Sequence, residues 1–368
     1  MTLDKNRQII INATNIGKKP SGIGLTTLSI LSGLAKLKTD IEFLVFLNQN
    51  AKEHIATIDF PTNFKLHWTS YAISPDYGTT GHIRRLLYSN YLSFKFRGRY
   101  VFNTSQLEAA LFKKRQILAV HDVIALVVKN DEKRSEQLFY KHYLKSALNS
   151  SEQIIVPSKH TGDLLSSIYN IPAEKIHVIH HGLNDMFKDE AKNINAQKEN
   201  FILYAGRISP TKNITRILKA FDLIRDKVDH KLLFIGGEDH NKLLPENDDR
   251  IIVKGYVSNE ELLNHYKTAA LFIFPSLYEG FGLPPLEAMA CSCPTVVSNV
   301  ASIPEVCSDA AFYVDPLSVD SIADGMLKVL TDNTLRNEMI NNGIKRVGDF
   351  SWEKASKTYL EIFERILG

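Results

Sequence analysis

Short apolar runs alternate with helix-like segments along most of this chain. In the first half, five runs predict strands buried on both faces, at residues 8–13, 43–47, 116–120, 153–156 and 177–179. A second series of six runs follows, at residues 201–205, 231–235, 251–253, 271–274, 294–297 and 311–314. Segments with apolar positions at helical spacing separate nearly all of these runs, so the pattern predicts strands and helices in alternation.

The alternation occurs twice, with a polar break between the two series. Units of strand, helix and strand are right-handed and build parallel sheets that helices cover on both faces. The break, residues 184–199, is rich in Lys, Asn, Asp and Glu and is typical of a linker. We therefore predict an α/β protein with two Rossmann-like, doubly wound domains, over residues 1–183 and 200–349.

Composition supports a globular protein. Of 368 residues, 44% are hydrophobic and 23% charged, and no apolar run approaches the ~18 residues that span a bilayer. The first residues lack the segments of a signal peptide, so we expect a cytoplasmic location. Three cysteines, Cys291, Cys293 and Cys307, fit neither a disulfide framework nor a zinc site, and we interpret them as reduced and buried.

Charge is distributed unevenly. Residues 1–115 hold 16 Lys and Arg against 7 Asp and Glu, whereas the remainder holds 28 against 34. Such a basic part is typical of proteins that meet nucleic acid, a membrane surface or anionic substrates. We expect no nucleic-acid partner here.

One basic segment combines charge with apolar residues at helical spacing. The apolar positions are Ile83, Leu86, Leu87, Tyr91 and Phe94, and the cations around them are Arg84, Arg85, Lys95, Arg97, Arg99, Lys113, Lys114 and Arg115. One interpretation is peripheral contact with the inner face of a membrane. The other is an ordinary helix with its apolar face in the core and its basic face in solvent.

In parallel sheets, ligands bind beyond the carboxyl ends of the strands, so the residues there are the candidates. After the first strand, Gly22 and Gly24 open a helix, where glycine amides can approach an anion. A tight strand-to-helix turn explains them equally well. After another strand, His121 precedes Asp122, which could fix the tautomer of the imidazole or raise its pKa; a polar strand end or a helix cap is the alternative.

The first strand of the second series ends at Gly206 and is followed by two cations. Arg207 and Lys212 lie around the predicted start of the next helix. Arginine offers a fork for phosphate oxygens and lysine a point charge, so together they could neutralise a diphosphate. They could also be solvated surface cations, which is the usual position of Lys and Arg.

The most informative segment follows the strand that ends at Phe274. A loop with Glu279, Gly280, Phe281 and Gly282 leads to Leu283 and two prolines, which suit the first turn of a helix. The amides of Gly282 and Leu283 would then lie at a helix N-terminus, where anions bind. Glu279 and Glu287 could accept hydrogen bonds from sugar or ribose hydroxyls. Taken singly, Glu287 could be a first-turn glutamate favoured by the helix dipole, and Glu279 a loop charge.

At these residues the sequence resembles the retaining glycosyltransferases of family 4, whose signature is two glutamates separated by seven residues, matched by Glu279 and Glu287. Further sequence motifs of the family appear in the same order, and the resemblance is most specific between residues 175 and 316. They are residues 156–158, 175–182, 206–207, 212–213, 255–258, 304–306 and 314–316.

The resemblance implies the GT-B fold, in which two Rossmann-like domains face each other across a cleft. The second domain would hold a nucleotide-sugar donor and the first domain the acceptor. The final helix of the family crosses back onto the first domain, which would add residues 350–368 to residues 1–183.

Roles follow by position in the motifs. Glu279 would bind donor-sugar hydroxyls near the reacting carbon, Glu287 the ribose hydroxyls, Arg207 and Lys212 the diphosphate, and His121 the sugar near its anomeric centre. The donor-binding set would also include Gly22, Gly24, Gly206, Tyr256, Val257, Gly280, Phe281, Gly282 and Leu283. Family members often have Arg where this chain has Leu25, so a side-chain contact from that position is not expected.

The resemblance also implies a reaction without metal or cofactor, because the segments expected to line the cleft contain no Asp-x-Asp triad. The sequences of residues 281–287 and 301–305 look more like members that use GDP-mannose; UDP-glucose and UDP-galactose remain alternatives. The acceptor would be a growing polysaccharide or a lipid-linked oligosaccharide. Alternatives are a sugar-nucleotide-binding subunit without turnover, and a phosphorylase-like or epimerase-like enzyme of the same fold.

Overall fold

A computed structural model describes residues 7–111, 113–128, 137–190, 197–237, 243–245 and 248–368. The chain forms two compact units. Unit 1 comprises Met1–Gly182 together with Trp352–Gly368, and unit 2 comprises Leu183–Ser351. Each unit has a parallel sheet with its own buried apolar core.

The sheet of unit 1 has seven parallel strands in the order β3-β2-β1-β4-β5-β6-β7. Their bounds are β1 Gln8–Asn12, β2 Glu42–Asn48, β3 Phe64–Thr69, β4 Tyr100–Asn103, β5 Gln116–Ala119, β6 Gln153–Val156 and β7 Ile176–Val178. Five of them were predicted, whereas β3 and β4 were not. The sheet edge leaves β3 half exposed with an alternating polar sequence, and β4 has only four residues after a basic segment.

The sheet of unit 2 has six parallel strands in the order β10-β9-β8-β11-β12-β13. Their bounds are β8 Glu199–Ala205, β9 Lys231–Ile235, β10 Ile251–Lys254, β11 Ala269–Phe274, β12 Thr295–Ser298 and β13 Phe312–Val314. All six were predicted to within two residues at either end. Most positions in these strands are fully buried, and this is why the continuous apolar runs were a sufficient signal.

Helices connect the strands in both units. The helices of unit 1 are Gly22–Ala35, Lys52–Ile55, Gly78–Lys95, Ile124–Val127, Lys145–Ser150, Lys159–Tyr169 and Trp352–Leu367, with a π-helical segment at Phe139–Leu144. The helices of unit 2 are Asp185–Glu190, Ile214–Ile224, Asn259–Thr268, Leu283–Ala290, Ile303–Cys307, Val319–Thr331 and Asn333–Val347. No described helix is long and apolar enough to cross a membrane.

The final helix, Trp352–Leu367, packs on the sheet of unit 1 rather than on the sequence neighbours that precede it. The ring of Phe363 lies 5.4 Å from that of Phe102 and 6.1 Å from that of Phe43. Tyr359 also contacts Phe102 and is almost fully buried. Unit 1 is therefore built from two stretches of chain that are distant in sequence.

The segment predicted as a linker differs from that expectation at its beginning. Asp185–Glu190 is a helix, and its Phe187 side chain is buried in the core of unit 2, 5.9 Å from the ring of Tyr266. A single aromatic anchor in a polar segment was too weak a signal to predict this. Residues 191–196 lie outside the described residues, and β8 begins at Glu199.

The three cysteines are free and buried, as predicted. Burial raises the pKa of the Cys293 thiol to about 11 and that of the Cys307 thiol to about 12. Both are therefore protonated near neutral pH, and they pack as small apolar residues.

Part of the prediction for the basic segment is wrong, because some of its cations are buried in and around the helix Gly78–Lys95. Its buried face includes Arg85, whose Nε lies 2.7 Å from Oε1 of the fully buried Glu108. Arg85 is therefore not a surface cation. Leu86 is only partly exposed. Lys113 is buried as well, with its ammonium donating to the carbonyls of residues 96, 97 and 99.

The other apolar residues of that helix point away from the core. Ile83, Leu87, Tyr91 and Phe94 are exposed by 52%, 68%, 51% and 76%. The interpretation that their face is the core-facing side of an ordinary helix is therefore wrong.

Candidate active site

The central strands of unit 2, β8 and β11, are neighbours, and their carboxyl ends bring two candidate segments together. The backbone N–H of Leu277 donates to the carbonyl of Thr211 at 2.9 Å. The buried amide of Asn213 donates to the carbonyls of Pro275, at 3.0 Å, and Pro316, at 2.6 Å. These bonds fix the loops after β8 and β11 against each other.

Lys212 and Glu279 meet at this edge, although they are 67 positions apart in the sequence. The Lys212 ammonium donates to Oε1 of Glu279 at 2.5 Å, and only 21% and 13% of the two side chains are exposed. The ammonium also lies 5.5 Å from the centre of the Phe274 ring. A cation and a carboxylate are thus held side by side in a mostly enclosed position, where electrostatic interactions are stronger than in bulk water.

Arg207 follows the same strand and is exposed. Its carbonyl accepts a hydrogen bond of 2.9 Å from the hydroxyl of Tyr204, which fixes the backbone. Among the described residues, no carboxylate lies within ion-pair distance of its guanidinium. The guanidinium is therefore available to an anionic ligand.

The glycines after β8 and β9 allow the two loops to approach closely. Gly236 has φ +132°, and a Cβ there would lie 2.1 Å from the carbonyl oxygen of Gly206. Only glycine fits this position. A Cβ on Gly237 would lie 2.8 Å from the hydroxyl of Tyr256, a predicted donor-binding residue that is 82% exposed. Gly236 and Gly237 were not predicted as site residues, although a glycine pair directly after a predicted strand is a recognisable signal.

Val257 has a different position from Tyr256. It is partly buried and packs against the core of unit 2. Its side chain therefore stabilises the loop, and only its backbone remains a candidate for contact with a ligand.

The loop from Glu279 to Gly282 is held by a serine that the sequence analysis missed. This residue, Ser302, follows β12. Its hydroxyl lies within hydrogen-bond distance of the carbonyl oxygens of Glu279, at 2.9 Å, and Phe281, at 2.7 Å. Gly282 is the N-cap of the helix Leu283–Ala290 and has φ +111°. Because prolines occupy the next positions and have no N–H, Gly282 and Leu283 supply the amides at this helix start. The predicted helix N-terminus is present.

Glu287 lies one turn further along than predicted. It is the fifth residue of the helix, so it is not a first-turn glutamate. The hydroxyl of the buried Tyr266 donates to Oε2 of Glu287 at 3.0 Å, and burial raises the pKa of Glu287 to about 7. Tyr266 was not predicted because its helix, Asn259–Thr268, carries no motif. The two glutamates therefore have different environments: a lysine partner for Glu279, a tyrosine partner for Glu287.

In unit 1, His121 follows β5 and is buried. Its Nε2 lies 2.9 Å from the carbonyl oxygen of Thr104, so Nε2 carries the proton and Nδ1 is an acceptor. Burial lowers the pKa of His121. The alternative that Asp122 raises this pKa is therefore wrong. Oδ1 of Asp122 accepts from the backbone N–H of Ile124 at 3.2 Å, in the turn that precedes the short helix Ile124–Val127.

A second histidine lies beside the first. The ring of His181 is 5.6 Å from that of His121 and 5.6 Å from that of Trp352, on which it stacks. Burial, and then electrostatic interactions with His121 and His180, lower the pKa of His181 well below its usual value. Both imidazoles are therefore neutral at neutral pH. His181 belongs to a motif that the sequence analysis quoted, but no role was assigned to it.

The two glycines after β1 have different surroundings. Gly22 is the first residue of the helix Gly22–Ala35, and a Cβ there would meet no atom within 4 Å. A Cβ on Gly24 would lie 3.2 Å from Pro20 Cβ and 3.4 Å from the carbonyl oxygen of Asn15. The tight turn accounts for Gly24, whereas the space at Gly22 is free for a ligand.

The candidate residues are thus divided between the units. Lys212, Glu279 and the start of the helix Leu283–Ala290 come together in unit 2, and His121 and Gly22 belong to unit 1. Across the ranges that the structure describes, no three His, Cys, Asp or Glu side chains are arranged to hold a metal ion.

Comparisons with known proteins identify both parts of the chain. The family model "Glycosyltransferase Family 4" matches residues 20–186, and "Glycosyl transferases group 1" matches residues 185–346. O-antigen chain mannosyltransferase B of Escherichia coli is 26% identical over 96% of this chain and 99% of its own. O-antigen chain mannosyltransferase RfbU of Salmonella typhimurium is 26% identical over 84% and 87%.

Solved structures share the fold over nearly the whole chain. Sucrose-phosphate synthase of Thermosynechococcus elongatus has a TM-score of 0.75 at 17% identity and covers 98% of this chain and 99% of its own. WaaG, a glycosyltransferase involved in lipopolysaccharide biosynthesis, has a TM-score of 0.67 at 15% identity, with coverage of 97% and 99%. The resemblance found in the motifs is thereby confirmed: the chain is a glycosyltransferase of the GT-B fold, with a Glycosyltransferase Family 4 domain followed by a Glycosyl transferases group 1 domain.

Proposed function

We propose that this chain is a retaining, metal-independent hexosyltransferase. It moves a hexose from a nucleotide-diphosphate sugar to a glycan or lipid-linked oligosaccharide in polysaccharide biosynthesis. GDP-mannose is the donor that we favour, because relatives over most of the chain are named O-antigen chain mannosyltransferases. UDP-glucose is the alternative, since a solved neighbour from Anabaena binds UDP-glucose.

The contact between Lys212 and Glu279 is the observation that carries this proposal. A nucleotide-diphosphate sugar has an anionic diphosphate bonded directly to a neutral hexose rich in hydroxyl groups. A lysine for phosphate oxygens beside a carboxylate for sugar hydroxyls matches that sequence of groups. The adjacent amides of Gly282 and Leu283 add hydrogen-bond donors for the diphosphate.

In the proposed reaction, an acceptor hydroxyl attacks the anomeric carbon from the side on which the diphosphate leaves. The bond between that carbon and the phosphate oxygen breaks, the new glycosidic bond forms, and the leaving phosphate takes the hydroxyl proton. Arg207, Lys212 and the helix-start amides neutralise the charge that develops on the leaving group. Glu279 orients the sugar and is not a nucleophile.

The remaining candidates have supporting roles in this proposal. Glu287 would accept hydrogen bonds from the ribose hydroxyls. His121 would contact the sugar through Nδ1, because its Nε2 proton is engaged by the Thr104 carbonyl.

Exchanging Glu279 for Gln tests the assignment. We expect Glu279→Gln to lower turnover roughly tenfold to a hundredfold, which is the loss of about 1.5 to 3 kcal/mol expected when one charge-assisted hydrogen bond is weakened. Its affinity for GDP or UDP should stay within about threefold of wild type or increase, since Lys212 loses its competing carboxylate. Arg207→Ala should weaken nucleotide binding roughly tenfold to a hundredfold. Calorimetry with GDP and UDP, and initial rates with GDP-mannose and UDP-glucose, measure both effects.

The matched control is Glu260→Gln, an equally conservative change at an exposed glutamate of unit 2. It should alter neither binding nor turnover. Near-normal turnover of Glu279→Gln would show that the site is assigned wrongly. Nucleotide-sugar binding without release of nucleoside diphosphate, across a panel of saccharide acceptors, would favour the non-catalytic subunit instead.

Metal independence gives a separate prediction. Because Arg207, Lys212 and backbone amides are proposed to neutralise the diphosphate, transfer should persist within about twofold after exhaustive treatment with EDTA. Loss of activity that manganese or magnesium restores would contradict it.

A further inference from the structure

The helix Gly78–Lys95 presents an apolar stripe on its solvent side. At 100° per residue, Ile83, Leu87, Tyr91 and Phe94 fall within an arc of about 80°. The buried residues of the helix, which include Arg85 and Leu92, lie on the opposite side. The core of unit 1 therefore does not account for these four exposed side chains.

Cations border the stripe and continue beyond its end. Arg84 and Lys95 flank it on the helix, and Arg97 and Arg99 follow directly. Among the described residues, the side chains of Lys95, Arg97 and Arg99 have no carboxylate partner. The ammonium of Lys95 lies 5.8 Å from the centre of the Tyr91 ring, which joins the apolar and basic parts.

Three of these cations, Lys95, Arg97 and Arg99, line a pocket of about 690 Å³ at the end of the helix. Its lining includes Gln8, Lys95, Arg97, Arg99, Tyr100 and Arg115. The guanidinium of Arg115 is held by the carbonyl of Gly98 at 2.5 Å and lies 5.6 Å from the Tyr100 ring centre. Gln8 and Tyr100 begin β1 and β4, so the pocket lies at the amino edge of the sheet, opposite the edge that carries His121 and Gly22.

Lys113 fixes the turn that follows the helix, residues 96–99. Its buried ammonium donates to the carbonyls of Phe96, Arg97 and Arg99 at 2.9, 3.2 and 2.8 Å. Burial lowers the pKa of Lys113 to about 8. The turn that displays the arginines is therefore fixed by hydrogen bonds and is not a loose surface loop.

We propose that this apolar stripe and the basic pocket beside it form a docking surface for an anionic lipid bilayer. The stripe inserts among the acyl chains near the headgroups, and the pocket holds a lipid phosphate. Apolar side chains flanked by cations match the chemistry of such an interface. A nucleic acid would account for the cations but not for four exposed apolar side chains on one face.

Vesicle sedimentation of the full chain at physiological salt tests this proposal. We expect pelleting with phosphatidylcholine vesicles containing about 30% phosphatidylglycerol, and at least tenfold weaker partitioning to phosphatidylcholine alone. The double variants L87S/F94S and R97Q/R99Q should each partition at least tenfold more weakly to the anionic vesicles. Because the readout is binding, it is independent of the proposed transfer reaction.

Matched controls come from unit 2. The variant L223S/L317S removes two similarly exposed leucines, and K219Q/K227Q removes two exposed cations. Neither should change partitioning, and circular dichroism should show all four variants folded. Unchanged partitioning of L87S/F94S overturns the proposal, as does a loss equally large in the controls. Binding to duplex DNA or RNA at least as tight as to the vesicles, and insensitive to L87S/F94S, overturns it too.

Discussion

Glu279 and Glu287 lie eight positions apart, yet their surroundings differ. Glu279 is paired with a lysine, whereas Glu287 is partly buried and has a neutral tyrosine hydroxyl as its described hydrogen-bond partner. A carboxylate that is removed from water without a cation beside it opposes folding when it ionises. A carboxyl group with a pKa shifted in this way is a candidate for ligand binding.

The raised pKa of Glu287 leads to a prediction about stability and pH. A glutamate in an unfolded chain has a pKa of about 4.3, whereas burial raises the pKa of Glu287 to about 7 in the folded chain. Its favourable contribution to folding is present below the unfolded pKa and is lost as pH rises to about 7. We expect Glu287→Gln to increase the free energy of unfolding at about pH 8 by on the order of 1 to 3 kcal/mol.

The difference should shrink as the pH falls from about 7 and approach zero below about pH 4, where Glu287 is mostly protonated in both states. Urea unfolding of wild type and Glu287→Gln at several pH values measures it. Glu260→Gln serves as the control and should show no such trend. A constant difference between pH 5 and pH 8 would show that ionisation of Glu287 is not its cause.

At the scale of elements, the final helix is held against the helix Gly22–Ala35 by a close contact. A Cβ on Gly33 would lie 1.9 Å from Oγ and 3.0 Å from Cβ of Ser356. Ser356 is fully buried, and its hydroxyl has no described partner. The two helices therefore approach as closely as a glycine permits.

Gly33→Ala should destabilise unit 1 by about 1 to 3 kcal/mol, because the added methyl overlaps Ser356 in a packed interface. Gly22→Ala in the same helix is the matched control, since a Cβ there meets nothing within 4 Å. It should be neutral or slightly stabilising. Thermal unfolding compares them.

The double variant Gly33→Ala/Ser356→Ala removes the closest overlap and should recover part of the loss. Equal stability of Gly33→Ala and Gly22→Ala would mean that the two helices are not packed at this distance.

At the scale of the whole molecule, each unit has its own core, but unit 1 depends on both ends of the sequence. Tyr359, Ile362 and Phe363 of the final helix pack into the cluster that contains Phe43 and Phe102. The core cluster of unit 2 takes all of its residues from 183–351.

Deleting residues 352–368 should therefore unfold unit 1 and leave unit 2 folded. Loss of several large buried side chains costs more than the roughly 5 to 15 kcal/mol that stabilises a typical domain. Hydrogen exchange read by mass spectrometry should show protection lost in β1, β2 and β5 but retained in β8 and β11. Residues 183–351 expressed alone should remain folded. Exchange raised equally in both units would contradict this independence.

The sequence predicted the sheets best where the strands are buried on both faces. Strands β8, β9, β11 and β12 of unit 2 are mostly buried, whereas β10 and β13 at the two edges are more exposed and were found from their short apolar runs alone. The half-exposed β3 and the four-residue β4 were missed. A strand that pairs with neighbouring strands can form without a long run of apolar residues in its own sequence. The site motifs were found because glycines, prolines and charges at strand ends are local features.

What the sequence determined by itself was therefore local: the alternation of strands and helices, the helix start at Gly282, and the motifs that place the chain in its family. The tertiary structure alone decided which side chains meet. Lys212 lies against Glu279, Tyr266 bonds to Glu287, and the apolar stripe of Gly78–Lys95 faces solvent. Periodicity shows which residues share a face, but only packing between segments distant in sequence determines what that face contacts.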